Sequence, residues 1–229
     1  MNANNKQVKS KKRVVDHGEV FTSEREVNAM LDLVKHETER IESRFFEPAC
    51  GDGNFLHEIL RRKFKIVKDR YSRNLDDFDK YMIVAVSSVY GVELLEDNAI
   101  ECRKRLYNFF LEEYQAVQKT KPDTDIEISV KFLLDRNILC GDALTLLSSN
   151  GEPIIFSEWS LITGGYLKRR DFKLAEMLSF TPATQKEIKI TSNASYDNEL
   201  LADVVENNLV IRVYKEYPLI NYRRIYEHS

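Results

Sequence analysis

The sequence is poor in the residues that mark several classes of protein. Only three of its 229 residues are cysteine (Cys50, Cys102 and Cys140). They form no CxxC pair and are odd in number, which argues against a disulfide framework and against a zinc site. The four histidines have no ligand-like spacing, so we expect no bound metal. Eight glycines and five prolines are too few for a collagen-like or linker-rich chain.

The sequence also lacks a long apolar run. The best stretch, Met82–Val86, is interrupted by Ser87 and is too short to cross a membrane. The basic N-terminus has no apolar stretch behind it, so it does not read as a secretory signal. With 43% hydrophobic residues, a chain of this length can bury a sizeable core. We therefore expect a soluble, reduced, cytoplasmic protein with no membrane partner.

Neither sign of charge dominates the chain. The formal net charge is −3 and the pI is near 5.9, which gives no global attraction to nucleic acid. Basic residues gather locally, and each cluster is either a phosphate contact or an ordinary solvated surface. The clusters are Lys9 with Lys11, Lys12 and Arg13; Arg61 with Arg62, Lys63 and Lys65; Lys168 with Arg169 and Arg170; and Arg223 with Arg224.

Hydrophobic spacing and turn residues predict strands that alternate with helices. Ser23 and Glu26 form a capping-box pattern at the start of the first predicted helix. Predicted strands cover 41–46, 89–94, 137–140, 153–160 and 209–214, and residues 166–172 return from a hairpin turn at 163–165. Predicted helices cover 75–88, a long segment capped by Asp97 that reaches about 119, 126–136, 174–178, and the segment that follows a glycine turn at 50–53.

This alternation predicts an α/β fold with a parallel sheet and helices on both faces. We expect a flexible basic arm over 1–13 and one main domain over 14–180. Residues 181–229 read as a linker and a C-terminal extension that packs on the same domain.

The chemistry of such a fold lies at the carboxyl ends of the strands. Gly51 and Gly53 allow a sharp turn and a close approach of backbone to ligand, and the free N–H groups there favour an anionic group. Glu93 ends a strand and suits ribose hydroxyls. It lies 40 residues beyond Gly53, and a third glycine is missing, so the pattern points away from NAD and toward another adenosine-bearing ligand.

Two more strand ends carry polar residues. Asp142 is either an acceptor for an exocyclic amine, such as the N6 of adenine, or a helix N-cap. At the fourth predicted strand, 153–160, Glu158 is a candidate acceptor or base. Trp159, the only tryptophan, is either a stacking platform for a planar substrate or a core anchor.

Taken together, these segments resemble the N6-adenine DNA methyltransferases of restriction-modification systems. EPACGDGNF (47–55) resembles their (D/E)PACGSGxF motif, and HGEVFTS (17–23) resembles their GxxxTP segment. VYGVEL (89–94) and NILCGDAL (137–144) resemble their ribose-binding and adenine-binding strands, in the same order. The resemblance spans residues 14 to about 146, and it implies a Rossmann-like sheet that uses S-adenosylmethionine, with a C-terminal hairpin extension.

The resemblance also implies roles for individual residues. Glu47, Ala49, Gly51 and Gly53 would shape the methionine pocket. Thr22 would lie near the cofactor carboxylate, Glu93 would hold the ribose, and Asp142 and Ala143 would meet the adenine. The implied partners are DNA and a specificity or restriction subunit.

The sequence departs from that family at the reacting end. The (D/N)PP(Y/F) tetrapeptide, which holds the target amine and stacks on the flipped base, is absent from the sequence. Ser157–Ser160 takes its position, so Glu158 and Trp159 are the candidate catalytic residues. The leading hypothesis is a DNA adenine-N6 methyltransferase. The alternatives are a catalytically degenerate cofactor- or DNA-binding subunit that acts with a partner, and a methyltransferase that acts on RNA, protein or a small molecule.

Overall fold

The protein is described by a computed structural model over residues 9–17, 20–178 and 212–228. Pairs of helices separate the first three strands. The α-helices are α1 (Lys11–His17), α2 (Glu24–Asp32), α3 (Lys35–Thr38), α4 (Asn54–Tyr71), α5 (Leu75–Ser87), α6 (Glu96–Gln118), α7 (Thr124–Asn137) and α8 (Leu174–Leu178). The strands are β1 (Phe45–Glu47), β2 (Val89–Glu93), β3 (Ile138–Asp142), β4 (Leu147–Ser148), β5 (Ile155–Ile162), β6 (Tyr166–Lys173), β7 (Lys215–Glu216) and β8 (Ile220–Asn221).

Local capping explains where several helices begin. The predicted capping box is confirmed, because Ser23 Oγ accepts from Glu26 N and the Glu26 carboxylate accepts from Ser23 N. The prediction that Asp97 caps α6 is wrong. The N-cap residue is Leu95, and the Leu95 N–H donates to Glu93 Oε1 at 3.1 Å. The helix has no side-chain cap, and Glu93 of the preceding strand instead fixes the backbone of the N-cap residue.

The main sheet has the order β1-β2-β3-β4, and its first three strands are parallel. The predicted strand over 41–46 begins later, at Phe45. The buried Lys63 ammonium on α4 donates hydrogen bonds to Ile41 O and Ser43 O, so a side chain occupies these two carbonyls where the prediction expected strand pairing. Burial lowers the pKa of Lys63 to about 7.

The second sheet is built on the hairpin of β5 and β6, which pair antiparallel from Ile155↔Lys173 to Ile162↔Tyr166 around the turn Thr163–Gly165. The expectation that 153–160 is a fourth strand of the parallel sheet is therefore wrong. The tight turn returns the chain at once, so the long strand finds its partner next in sequence rather than beside β1.

The position of this hairpin also shows that the expectation of helices on both faces of the sheet is wrong. Strand β2 has Val89 in the large cluster with residues of α4, α5 and α6, whereas Tyr90 and Val92 pack with Ile154, Phe156 and Leu174. Among the described residues, the second face of the sheet is thus covered by the hairpin and the short α8, in place of a full helical layer. The aromatic pairs on this face are Phe46–Phe156 and Tyr90–Phe156, with centroids 5.4 and 5.5 Å apart.

The C-terminal segment 212–228 packs on the hairpin around a buried ion pair of β6 and makes hydrogen bonds to both of its members. Arg169, fully buried, donates to both carboxylate oxygens of Asp171 at 2.9 and 3.0 Å and to His228 O. Strands β7 and β8 both pair with β6. The predicted strand over 209–214 lies partly outside the described residues, and the described part, 212–214, is not a strand. The predicted linker falls mainly on residues that the structure does not describe.

At the other end of the chain, the expected flexible arm over 1–13 is wrong for its last residues. Residues 11–13 open helix α1, and Arg13 pairs with Asp97 at 2.7 Å. Residues 1–8 lie outside the described part of the chain.

Candidate functional site

A cavity of about 460 Å³ opens at the carboxyl ends of β1, β2 and β3. That volume falls in the range of small-molecule sites. Three chain turns and the segment after α1 build its wall. The lining residues are Val20, Phe21, Thr22, Glu47, Pro48, Ala49, Cys50, Gly51, Asp52, Asn54, Phe55, Glu93, Leu94, Leu95, Asn98, Gly141, Asp142, Ala143 and Leu144.

The glycine turn after β1 forms part of the cavity wall. Gly51 and Gly53 have φ of 55° and 91°, a conformation that disfavours residues with a Cβ. The Cys50 N–H donates to Val92 O at 3.0 Å, which fixes the turn against β2. A Cβ on Gly53 would lie 2.7 Å from Cys102 Sγ, so glycine here allows α4 to approach α6.

The Glu93 carboxylate joins the turns that follow the neighbouring strands β1 and β2. Its Oε2 accepts from Gly51 N at 2.8 Å, and its Oε1 accepts from Leu95 N at 3.1 Å and Asn98 Nδ2 at 3.2 Å. An ionised carboxylate has about four acceptor positions. Glu93 therefore braces the site and keeps capacity for one further donor, such as a hydroxyl of a ligand.

Two more carboxyl groups of the cavity are partly buried. Burial raises the pKa of Glu47, and a hydrogen bond from the Ala49 N–H offsets part of that rise. Burial likewise raises the pKa of Asp52, and the Arg105 guanidinium 3.4 Å away opposes the rise. With Glu93 and Asp142, four acidic residues line the cavity, and no described lysine or arginine does.

This charge pattern selects among ligands. Of the four acids, Asp52 is paired with Arg105, whereas Glu47, Glu93 and Asp142 form no ion pair within the described residues. Such unpaired carboxylates repel polyphosphates and attract cationic groups. The cavity therefore disfavours nucleotides that carry a phosphate chain and favours a ligand with a positive charge and hydrogen-bond donors.

The turn after β3 completes the wall. The Asp142 carboxylate accepts from Leu144 N at 2.8 Å, and Asp142 O accepts from Leu146 N at 2.8 Å. No helix starts at Ala143, so the N-cap alternative for Asp142 is wrong, and its carboxylate stabilises a tight turn instead. Leu146 has φ of 62° within that turn.

Seven of the eight residues expected at a cofactor line this one cavity: Thr22, Glu47, Ala49, Gly51, Glu93, Asp142 and Ala143. Gly53 does not line it and instead packs against Cys102. Sequence reasoning missed Asn98 and Asn54, which donate to Glu93 Oε1 and Thr22 O. Asn98 lies on the first turn of the helix after Glu93, and that spacing is the signal that could have found it.

The two candidate catalytic residues lie elsewhere. Trp159 is 5% exposed, its Nε1 donates to Asn137 Oδ1 at 3.3 Å, and its ring meets Phe132 edge-on. Asn137 also bonds Ser87 O and Val89 O, at the amino end of β2, so Trp159 lies at the end of the sheet opposite the cavity. This placement fits the core-anchor alternative for Trp159.

Glu158 is held by two arginines. Its carboxylate lies 2.7 Å from an Arg44 nitrogen and 2.6 Å from an Arg170 nitrogen. Neither Glu158 nor Trp159 lines the cavity. The structure therefore does not bring the expected catalytic pair to the expected cofactor site, because both residues lie within the antiparallel β5 rather than after a parallel strand.

A comparison with known protein families identifies the family of this chain. The family model of the MmeI DNA-methyltransferase domain matches residues 21–150, more than half of the chain. The chain belongs to this family. The matched residues run from the segment after α1 through β4 and end before the hairpin. No curated protein and no solved structure matches the chain.

Membership in the MmeI family identifies the matched region as a DNA-methyltransferase domain of restriction-modification type. The mixed α/β architecture with its parallel strands fits a methyltransferase fold. None of the helices in the described ranges is both long and apolar enough to cross a membrane. Within the same ranges, no group of three or more His, Cys, Asp or Glu side chains is placed to hold a metal ion.

Proposed function

We propose that the cavity binds S-adenosylmethionine and that the domain serves methylation of DNA at adenine N6. The observation that carries the proposal is the convergence of Glu47, Glu93 and Asp142, from the ends of three neighbouring parallel strands, on one cavity beside a glycine turn. Ligands of open α/β sheets bind at such ends.

The residues present fit this cofactor. Its sulfonium and ammonium groups are cationic, and the cavity is lined by four acids. Glu93 has acceptor capacity for one ribose hydroxyl, Glu47 for the ammonium, and Asp142 for the exocyclic amine of adenine. The absence of described lining lysines or arginines fits a ligand without phosphate.

When bound, the cofactor supplies a methyl group on a positively charged sulfonium. The protein's role is to position the cofactor. Gly51 lets the backbone approach the ligand, and the Glu93 carboxylate holds the turns after β1 and β2 at a fixed separation. Reactions of this kind gain most from orientation and need no covalent intermediate with the protein.

A second candidate is a cofactor-binding subunit whose target-amine contacts come from a partner. The observation that favours it is the placement of Glu158 and Trp159, since the first is held by Arg44 and Arg170 and the second is buried at the far end of the sheet. In that case the chain alone binds the methyl donor without turnover.

Methyl transfer from labelled S-adenosylmethionine to duplex DNA tests the proposal. Label recovered in N6-methyladenine after digestion to nucleosides supports the enzyme. Cofactor binding with no label in DNA, RNA or protein supports the subunit. Label in RNA or protein, or failure to bind the cofactor at all, refutes the adenine assignment.

A further inference from the structure

Helix α1 is a short basic element that is anchored to α6. Ser10 Oγ accepts from Arg13 N at 3.2 Å, which closes the first turn of α1. The Arg13 guanidinium donates to both carboxylate oxygens of Asp97, at 2.7 and 3.1 Å. Lys9 Nζ donates to Asn98 Oδ1 and lies 3.6 Å from the Asp97 carboxylate. The helix therefore has a defined position at the first turn of α6.

That position is the rim of the cavity. Asn98 lines the cavity and bonds Glu93, and Val20–Thr22, which follow α1 closely in sequence, line it too. Seven helical residues span about 10 Å. The backbone of every α1 residue therefore lies within about 10 Å of that of Arg13, whose side chain is anchored beside Asn98 at the rim.

Two cations of α1 take no part in this anchoring. Lys11 and Lys12 are exposed, and they make no hydrogen bond or ion pair within the described residues. Apart from the buried Lys63, cations of the other basic clusters are paired with acids, such as Arg61 with Glu58, Arg170 with Glu158, and Arg223 with Asp76. Helix α1 thus presents two cations to a partner, in a position that ion pairs have fixed.

We propose that α1 contacts the phosphodiester backbone of the DNA, with Lys11 and Lys12 each neutralising a phosphate. This inference rests on the proposed function, in which a DNA base reaches the cavity. A base that enters such a pocket stays attached to its backbone. Because duplex DNA carries one charge per ~1.7 Å of axis, phosphates must pass within reach of cations at the rim.

Salt dependence of DNA binding tests the inference on the full chain. The test variant is K11Q/K12Q. The matched control is K119Q/K121Q, which removes two exposed charges just beyond the far end of α6. A helix of 23 residues places this control roughly 34 Å away from α1. Fluorescence anisotropy of a labelled duplex would be measured from 50 to 200 mM salt, and S-adenosylmethionine binding would be measured in parallel.

The test variant is expected to reduce the slope of log K against log salt by about 1.8, which is two phosphate contacts at about 0.9 each. Its loss of affinity is then about 12-fold greater at 50 mM than at 200 mM salt. The control is expected to keep the wild-type slope. An unchanged slope in K11Q/K12Q, or an equal change in both variants, overturns the inference and leaves the proposed function standing. A wild-type chain that binds neither cofactor nor DNA overturns both.

Discussion

Replacing Glu93 by glutamine probes the brace that joins the two turns of the cavity. The amide keeps one oxygen for Leu95 N and Asn98 Nδ2, but its NH₂ then faces the Gly51 N–H, where Oε2 accepts at 2.8 Å. One hydrogen bond to a charged group is lost and a buried donor is left unpaired. Each hydrogen bond to a charged group contributes ~1.5–3 kcal/mol, so we expect a loss of about 3 kcal/mol in the free energy of unfolding.

Thermal and urea denaturation followed by circular dichroism measure this loss. For a chain of this size, about 3 kcal/mol corresponds to a fall of ~6–12 °C in Tm. The matched control is Glu96→Gln, which removes the same charge from the exposed first turn of α6 and is expected to cost less than ~1 kcal/mol. If Glu93→Gln were as stable as Glu96→Gln, Glu93 would not brace the two turns.

Three further predictions concern the turn, the acid and the tryptophan. Gly53→Ala is expected to lower the free energy of unfolding by about 3 kcal/mol, since φ is 91° and the new Cβ meets Cys102 Sγ. In urea denaturation, adding Cys102→Ala should recover part of that loss. Purely additive losses in the double variant would argue against the contact. Burial raises the pKa of Glu47, and a bound ammonium favours the ionised form of its carboxyl group. As the pH is lowered, the affinity for S-adenosylmethionine measured by calorimetry should therefore begin to fall at a higher pH than an ordinary glutamate would give. Glu47→Gln should remove this dependence, and a wild-type profile that is flat would contradict it. Trp159→Phe loses the Nε1 bond to Asn137 and is expected to cost ~1–3 kcal/mol of stability with unchanged cofactor affinity; weaker cofactor binding at full stability would place Trp159 at the site instead.

The parts of the site that sequence could predict are those that local chemistry decides. A glycine turn after an apolar strand and an acid at the end of the next strand needed no knowledge of distant contacts. In a parallel sheet the carboxyl ends of neighbouring strands meet at one edge, so Glu47, Glu93 and Asp142 were expected together, and they do line one cavity. Their roles toward a cofactor stay predictions.

The parts that sequence did not predict depend on long-range pairing. The residues of 155–162 suit a strand in either direction, and only the pairing with 166–173 makes that strand antiparallel. Trp159 then meets Asn137 and Phe132 rather than the cavity. In the same way, nothing near Asp97 in the sequence shows that Arg13, 84 residues earlier, pairs with it. The Asp97 pKa falls to about 2 chiefly through that hydrogen bond.

The central claim is that the acid-lined cavity at the ends of β1, β2 and β3 holds a methyl donor. Isothermal titration calorimetry with S-adenosylmethionine tests it most directly, with NAD as a ligand that shares the adenosine but carries a pyrophosphate. The account predicts that one S-adenosylmethionine binds per chain and that NAD gives no heat of binding. Asp142→Ala is expected to weaken the binding of S-adenosylmethionine, whereas Asp69→Ala, on the exposed surface of α4, is expected to leave that binding unchanged. No binding of S-adenosylmethionine, or equal binding of NAD, would contradict it.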